Sequence, residues 1–427
     1  MDERAETGAG AEPCDVAIIG GGPAGSTAAA LLAGRGVAVR LFEKEAHPRF
    51  HIGESLLPRN LAVLDRLGLR ERVAAIGVLK PGAEFVSDET GERVSFCFAN
   101  SLHQDYTFSY QVRRAEFDAM LFAHARAQGA RLHENTRVTE VALPQAGGRG
   151  LVTVRDGAGA TARFAPRFVL DASGRDTFLA GRLGLKQSNK VINNAAVFAH
   201  FRGVARRAGA TEGYISVHLS EDGWFWMIPL PEGVMSVGFV GTQAAFKRRS
   251  GPVESLFLER LRTSPTVAAR MAGAERISDI RTAANYSYRA RRAWGEGYFL
   301  MGDAFAFLDP VFSSGVLLAM TAGEFGADIA TEWMAEPARG RAAARAAERW
   351  LHRAMARISW LIYRINDPVL RRLFLSPSNA LYMRDAIISI LGGNLAPDLR
   401  SELPYLAFKA IYHAHALAGR LGRHQAA

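Results

Sequence analysis

Three glycines, Gly20, Gly22 and Gly25, lie at a spacing that brings the backbone close to a pyrophosphate. They follow the apolar run DVAIIG and open the helix-forming run STAAALLAG. The first glycine allows a tight turn, the second lets the phosphates approach, and the third lets the helix pack on the strand. Glu43 ends the next apolar run, where a carboxylate accepts a hydrogen bond from a ribose 2′-OH. The pattern predicts a dinucleotide site at a helix N-terminus.

Two polar turns each follow a later apolar run: Asp171-Ala-Ser-Gly comes after RFVL, and Gly302-Asp303 comes after YFLM. Each aspartate could simply cap its own turn. The three motifs in this order resemble those of the FAD-binding monooxygenases that hydroxylate aromatic rings. The resemblance implies that the cofactor is FAD, that Asp303 binds its ribityl chain, and that Arg114, in VRRAEFDAML, contacts the flavin.

Three further stretches resemble flavin-dependent halogenases within that fold. They are WFWMIP at 224–229, KPGAEF at 80–85 with Gly53-Glu54-Ser55 before it, and DPVFSSGV at 309–316. The resemblance covers residues from about 14 to about 335. It is strongest to the group that halogenates pyrroles and phenols, often while these are tethered to a carrier protein.

The resemblance implies a division of roles between halogen oxidation and halogen transfer. Reduced FAD is supplied by a separate reductase, and chloride or bromide is oxidised beside it with O₂. The backbone N–H groups of Ser314 and Gly315 hold the halide at a helix N-terminus. Lys80 is the catalytic residue, which either hydrogen-bonds hypohalous acid or forms a haloamine. No metal is expected. The residues implied for FAD are Gly20, Gly22, Pro23, Ala24, Gly25, Glu43, Lys44, Ser55, Arg114, Asp303, Pro310, Gly315 and Val316.

A barrier of bulky side chains is implied between the flavin and the organic substrate, formed by Trp224, Trp226 and Phe312. Tryptophan halogenases carry a glutamate just before their Ser-x-Gly, where this sequence has Phe312. A phenol or pyrrole is more electron-rich than a benzenoid carbon of indole, so it needs less help from a base. Phe312 therefore favours an activated ring over free tryptophan.

Each of these residues has a simpler structural interpretation. Lys80 could be a surface lysine before a proline turn, as most lysines are. Trp224 and Trp226 could be plain core residues of a sheet. Ser313 and Ser314 could only cap a helix, which remains compatible with halide binding by the backbone.

The elements that would position these residues are those of an α/β protein. Strand, glycine turn, helix and strand alternate over residues 15–43, strand formers dominate 194–240, and the chain is mostly helical beyond Thr321. We expect an FAD-binding Rossmann-like domain of the aromatic hydroxylase type from residues 13–75, 104–190 and 280–335. Residues 76–103 and 191–279 are predicted to form a substrate-side β-sheet domain, and residues 336–427 a C-terminal helical region.

Composition narrows the class of protein. The 427 residues are 48% hydrophobic, and the two cysteines, Cys14 and Cys97, fit neither a metal site nor a disulfide framework. The first residues lack the apolar segment of a signal peptide, and no run approaches the ~20 apolar residues of a membrane span. We therefore expect a soluble, cytoplasmic protein.

The net charge of +10 is concentrated in the last part of the chain. Residues 337–427 contain fourteen Lys or Arg and five Asp or Glu, a difference of +9. Arginines at 341, 345, 349, 353 and 357 recur every four residues and predict a basic stripe on one helix. The stripe is either a solvated face or a landing surface for an acidic acyl or peptidyl carrier protein. Contact with an anionic membrane surface is a weaker alternative, and nothing in the sequence indicates nucleic acid binding.

Three functions remain open at this point. The first is a two-component halogenase. The sequence contains no second Gly-x-Gly-x-x-Gly for a nicotinamide nucleotide, which agrees with this function. The second is a monooxygenase or dehydrogenase of the same fold, including isoprenoid-reductase-like enzymes, which would leave Lys80 without a role. The third is a non-catalytic flavoprotein that docks a carrier protein.

Overall fold

Two β-sheets with helices packed on them make up most of the chain. The structure, a computed structural model, describes residues 10–145, 147–249, 251–396 and 398–425. The strands in chain order are β1 (Glu12–Ile19), β2 (Val39–Phe42), β3 (Gly77–Lys80), β4 (Gly82–Ser87), β5 (Arg93–Cys97), β6 (Ser109–Val112), β7 (Arg131–His133), β8 (Thr136–Ala142), β9 (Leu151–Asp156), β10 (Thr161–Asp171), β11 (Lys186–Arg202), β12 (Ile215–Ser220), β13 (Gly223–Pro229), β14 (Met235–Thr242), β15 (Glu275–Arg276), β16 (Arg281–Ala290), β17 (Trp294–Gly295), β18 (Tyr298–Leu300) and β19 (Ala306–Phe307).

The helices lie between these strands and, beyond β19, continue to the end of the described chain. They are α1 (Pro23–Ala33), α2 (Asn60–Arg66), α3 (Arg70–Ile76), α4 (Arg114–Ala127), α5 (Phe178–Arg182), α6 (Gln243–Lys247), α7 (Val253–Thr263), α8 (Pro265–Met271), α9 (Gly315–Ala335), α10 (Pro337–Ile362), α11 (Pro368–Leu375), α12 (Met383–Leu391) and α13 (Leu399–Gln425). None of them, in the described part of the chain, is both long and apolar enough to cross a membrane.

The first sheet has a parallel core in the order β18-β10-β1-β2-β7, and β17, β8 and β9 extend it by antiparallel pairing. Its central strands are buried on both faces, and all four residues of β2, Arg40 included, are buried. The register pairs Ile19 with both Asp171 and Phe42, and Asp171 with Leu300. The chain segments that leave β1, β2, β10 and β18 therefore meet at one edge of the sheet, where ligands bind in open α/β folds.

The second sheet is largely antiparallel, in the order β19-β16-β11-β14-β13-β12-β4-β5, with β12 and β4 parallel. Side chains of β13 alternate between two apolar clusters. Trp224 and Trp226 pack in one cluster, while Phe225 and Met227 pack in the other. This two-residue period is that of a strand covered on both faces.

The C-terminal helices α10 to α13 pack on the Trp224 side of the second sheet. Phe374 of α11 and Ile387 of α12 share an apolar cluster with Phe85 of β4 and Phe96 of β5. The predicted fold class, an α/β FAD-binding fold with a helical C-terminal region, is confirmed. The boundaries of the three predicted domains remain a prediction.

The predicted basic stripe on α10 is shorter in the structure than the sequence suggested. Arg345, Arg349 and Arg353 are exposed. Arg341 is held by both carboxylate oxygens of Glu296. Arg357 is buried, because α13 packs over it and its guanidinium donates to the Ala396 carbonyl and to Ser401 Oγ.

Candidate functional site

A cavity of about 450 Å³ opens where the carboxyl ends of the parallel strands face the second sheet. Residues from both sheets, from α1 and from the start of α9 line it. The predicted site residues that border it are Gly20, Gly22, Pro23, Ala24, Glu43, Lys44, Ser55, Arg114, Trp224, Trp226, Asp303, Pro310, Ser314, Gly315 and Val316. The lining residues do not include Gly25, Lys80 or Phe312.

The glycine turn has the geometry that its spacing predicts. Gly20 has a φ of 99°, and a Cβ there would lie 2.3 Å from the Ala172 carbonyl oxygen. A Cβ on Gly25 would lie 1.9 Å from the Gly20 carbonyl oxygen, so this glycine packs the helix on the turn and does not border the cavity. The first turn of α1 contains no acidic residue, and no side chain caps it. Its backbone N–H groups are thus available to a phosphate.

Glu43 braces this turn from the end of β2. Its carboxylate accepts a 2.8 Å hydrogen bond from the Gly21 N–H and lies 3.3 Å from the Arg49 guanidinium. Arg49 also lines the cavity, with a terminal nitrogen 3.7 Å from where a Cβ of Gly22 would lie. No sequence motif identifies Arg49, because its position depends on the loop after β2. Beside them, Lys44 pairs with Asp176 at 2.6 Å.

The two aspartates of the polar turns have different surroundings. Asp171 accepts hydrogen bonds from the N–H groups of Ser173 (2.9 Å) and Leu179 (2.8 Å), so it caps its own turn. Asp303 instead borders the cavity. Burial raises the pKa of Asp303 to about 6, against the opposing positive charges of Arg175 and Arg114. A carboxyl group that faces a cavity from a buried position suits a ligand hydroxyl.

Arg114 fixes the loop on the other side of the cavity. Its Nε and one terminal nitrogen donate to both oxygens of Asp118 at 2.8 and 2.9 Å. Its other terminal nitrogen donates to the Ile52 carbonyl at 2.6 Å. Gly53, with a φ of 103°, follows directly, and a Cβ there would lie 2.9 Å from Arg114. The backbone of the Gly53-Glu54-Ser55 motif is therefore held against a rigid ion pair.

The start of α9 forms the opposite end of the cavity. Ser313 has a φ of 56°, and the buried Ser314 stands directly before the helix, whose first turn carries no acidic residue. Asp309 turns away from these N–H groups, since it accepts from the Val311 N–H at 3.2 Å and from Asn194 Nδ2 at 2.8 Å. Burial raises the pKa of Asp309. The geometry offers a partial positive charge to a small anion, and the halide role of Ser314 and Gly315 stays a prediction.

The two tryptophans stand between the cavity and an apolar cluster. Their ring centroids are 5.9 Å apart, and Trp226 Nε1 donates to Ser236 Oγ at 3.1 Å. Both rings border the cavity and also belong to the cluster that contains Phe312. Phe312 lies behind them, with its ring centroid 6.1 Å from that of Phe85. The barrier role of the three side chains stays a prediction.

Lys80 is buried, with 1% of its surface exposed, which excludes the surface-lysine alternative. Its Nζ donates a 2.8 Å hydrogen bond to the Leu56 carbonyl and lies 5.3 Å from the centroid of the Phe98 ring. Leu56 directly follows Ser55, which lines the cavity. The amine is therefore located just behind the cavity wall. Burial lowers the pKa of Lys80 to about 7.

A contact between the buried Glu54 and the half-buried His200 was not recognised in the sequence. Glu54 lines the cavity, and its carboxylate lies 2.9 Å from His200 Nε2. His200 belongs to β11 and lies 146 residues away in the chain. Contacts of that range have no local signal in a single sequence.

The residues present fit FAD. The glycine turn and α1 can hold a pyrophosphate, Glu43 and Asp303 can accept from ribose and ribityl hydroxyls, and the cavity continues to α9 for the flavin ring. Glu43, Arg49 and Arg114 are among the charged residues that line the cavity.

The sequence matches the family of FAD binding domains over residues 13–349. It is 38% identical over 309 residues to a tryptophan 2-halogenase from Chondromyces crocatus, covering 71% of this chain and 58% of that protein. It is 32% identical over 330 residues to a 1H-pyrrole-2-carbonyl-(peptidyl-carrier protein) chlorinase from Pseudomonas fluorescens, covering 72% of this chain and 73% of that protein. The structure superposes on that of the flavin-dependent brominase Bmp2 with a TM-score of 0.83 and 28% identity, covering 95% and 99% of the two chains.

Proposed function

This chain belongs to the FAD-binding family of flavin-dependent halogenases, and from that premise we propose that it halogenates an electron-rich aromatic ring with reduced FAD, O₂ and chloride or bromide. The observation that carries the proposal is the position of Lys80. This lysine is buried behind the wall of the cavity, and its amine donates a hydrogen bond to the carbonyl of Leu56, the residue after Ser55.

The cavity would hold FAD. In its reduced form the cofactor would supply the electrons that convert O₂, a halide ion and a proton to one equivalent each of hypohalous acid and water, with oxidised FAD left behind. The N-terminal N–H groups of α9 hold the halide without offering a competing nucleophile. Trp224 and Trp226 keep the organic substrate away from the cavity. Lys80 receives the hypohalous acid and directs its halogen toward the ring.

Halogen transfer at Lys80 requires an electrophilic halogen and an acceptor for one proton. The bond from halogen to oxygen breaks as the bond from halogen to carbon forms. The oxygen keeps the electron pair and, with the proton released by the ring, leaves as water. An ammonium that donates to the oxygen weakens the first bond, and a lysine with a pKa of about 7 can donate without being permanently charged.

The substrate that we propose is a phenol or a pyrrole, free or tethered to an acidic carrier protein. Phe312 packs among phenylalanines, so no carboxylate stands at this position to deprotonate a less reactive ring. One relative is named for the 2-position of tryptophan, which lies in the electron-rich five-membered ring of indole. Another is named for a carrier-bound pyrrole. A separate flavin reductase supplies the reduced cofactor.

The test is halogen transfer by a Lys80→Ala variant. The enzyme is incubated with a flavin reductase, NADH, O₂, bromide and either a simple phenol or pyrrole-2-carboxamide. Excess monochlorodimedone is present to trap hypobromous acid that escapes to solvent. We expect the wild type to give a brominated product by mass spectrometry. Lys80→Ala should lose about 100-fold or more of this activity, the usual size of a general acid effect, while it still binds FAD and reoxidises reduced flavin at the rate of the wild type.

Lys247→Ala, which removes an exposed lysine on α6, is the control and should behave like the wild type. Bromination retained in Lys80→Ala would contradict the role of this lysine. A hydroxylated product without halogen, formed equally with and without bromide, would instead identify a monooxygenase of the same fold.

A further inference from the structure

Lys80 is one of four buried polar residues on a single face of a small ribbon. Lys80 pairs with Ser109 in the antiparallel strands β3 and β6, and Val78 pairs with Gln111. Ser55 forms a bridge to Gln111 from the other edge of β6. Side chains directly opposite each other, and those two residues apart, point to the same side. Ser55, Gln111, Ser109 and Lys80 therefore share one face, and each is at most 3% exposed.

Three polar atoms of this face have no hydrogen-bond partner among the described residues. Within the part of the chain that the structure describes, Ser55 Oγ, Ser109 Oγ and Gln111 Oε1 are buried without a hydrogen bond. Lys80 uses one of its three N–H donors on the Leu56 carbonyl. A buried polar atom without a partner is destabilising, because its lost hydrogen bond to water is not replaced. Three such atoms beside a buried amine indicate a face built to receive a ligand.

The arrangement of donors and acceptors limits what the ligand can be. Gln111 Nε2 donates to the Gly213 carbonyl at 3.2 Å, which orients the amide and leaves Oε1 as an acceptor. A halide ion cannot donate to Gln111 Oε1 and would be repelled by it. A small neutral hydroxylic molecule can donate its O–H to this oxygen while its own oxygen accepts from Lys80 or a serine.

The face extends from the cavity to the lysine. Ser55 lines the cavity. Lys80 Nζ reaches across β6 to the Leu56 carbonyl, because the segment that contains Leu56 pairs with the edge of β6 opposite to β3. The Phe98 ring closes the other side of the amine. Gly213 covers the ribbon so closely that a Cβ there would lie 1.7 Å from the Leu79 carbonyl oxygen.

We propose that Ser55, Gln111, Ser109 and Lys80 form a binding face for hypohalous acid, which holds the oxidant between the cavity and the lysine. This inference rests on the proposed function. Ser109 and Gln111 are positioning residues that retain and orient the acid until its halogen is transferred. Without them the acid escapes to solvent.

The test measures where the oxidant goes in Ser109→Ala and Gln111→Leu. Each variant is run with bromide, a flavin reductase, NADH and phenol as the acceptor. The same reaction contains excess monochlorodimedone, which traps hypobromous acid that escapes before it can brominate phenol in solution. We expect brominated phenol to fall about tenfold while trapped hypobromous acid rises, with the sum per NADH consumed unchanged. Ser287→Ala is the matched control, since its hydroxyl is equally buried and also has no partner among the described residues.

A crystal structure of the flavin-free protein gives a readout that does not depend on turnover. We expect an ordered water, the simplest hydroxylic ligand, within hydrogen-bond distance of Ser109 Oγ and Gln111 Oε1. Two results would overturn the inference but leave the proposed function intact. One is the same ratio of brominated phenol to trapped acid in both variants as in the wild type. The other is a protein atom hydrogen-bonded to each of these two oxygens. A wild type that yields neither brominated phenol nor trapped acid would overturn the proposed function with it.

Discussion

Lys80 is a lysine in surroundings that disfavour its charge, and this has a consequence for stability. Burial lowers its pKa in the folded protein to about 7, against 10.5 for the unfolded chain. Below pH 7 both states are protonated, and the folded protein bears the full cost of a buried ammonium. Between pH 7 and 10.5 only the unfolded chain is protonated, so the wild type gains stability as the pH rises.

Replacing Lys80 by Met should remove this dependence on pH. Each pKa unit corresponds to about 1.4 kcal/mol, so between pH 6.5 and 9.5 the wild type should gain about 3 kcal/mol of unfolding free energy relative to Lys80→Met. Urea unfolding of both proteins at several pH values measures the difference. A difference that stays constant over this range would show that the amine is solvated in solution.

The sequence identified those site residues whose positions follow from local structure. The glycine turn, Glu43 and Asp303 lie at the ends of recognisable strands, and parallel strands bring such ends to one edge of a sheet. Arg49 and His200 were missed because their places depend on contacts that no local pattern encodes. The depth of Lys80 was equally hidden, since Gly213 and Phe98, which cover it, come from other parts of the chain.

Among the elements, α11 determines how a ring could reach Lys80. Phe374 of α11 lies 4.8 Å from Phe85 and 4.9 Å from Phe96, measured between ring centroids. The same cluster contains Phe98, which packs against the amine of Lys80. The approach to the lysine from the apolar side is therefore filled by phenylalanines, and a substrate must displace α11 or some of these side chains.

Phe374→Ala should therefore make space for larger rings. The variant loses about 3–5 kcal/mol of stability, as buried Phe to Ala changes do, and should raise kcat/KM for a bulky phenol such as 2-naphthol relative to phenol. Phe257→Ala, in the separate cluster under β14, removes an equally buried ring and should cost similar stability without changing this ratio. An unchanged ratio in Phe374→Ala would place the substrate elsewhere.

The element boundaries show what sequence patterns resolve and what they do not. A proline at the first helical position would start α2 at Pro58. The helix begins at Asn60 instead, because Asn60 Oδ1 accepts from the Leu57 N–H and the chain makes a turn first. The arginine stripe on α10 was predicted from its period, which was correct for a helix. Burial of Arg357 by α13 was not predictable, because it depends on how two helices pack.

For the whole molecule, the exposed arginines of α10 make the surface charge uneven. Arg345, Arg349 and Arg353 lie on a C-terminal region whose charge difference is +9. Positive surfaces of this kind accelerate encounters with acidic proteins by about 10-fold or more at low ionic strength. An acidic carrier protein is the partner that the proposed function offers.

Reversing two of these charges tests the idea. Arg349→Glu with Arg353→Glu should lower the association rate of an acidic peptidyl carrier protein loaded with pyrrole-2-carbonyl by about tenfold at low salt, with less effect at high salt. Stopped-flow fluorescence measures the rate. Arg155→Glu with Arg163→Glu makes the same change of charge on β9 and β10 and should leave it unaltered. If both double variants lower the association rate equally, the rate depends on the net charge of the protein and not on the position of the arginines on α10.

The carbonyl of Leu56 ties the cofactor to the acid–base state of the lysine. Residues 53–55 border the cavity, and the very next carbonyl accepts a hydrogen bond from the amine. If FAD binding shifts this segment, that hydrogen bond changes and, with it, the proton affinity of the lysine. Reciprocity then requires FAD affinity to vary with pH near neutrality. Cofactor loading and proton uptake thus become one coupled equilibrium, joined through a single peptide group.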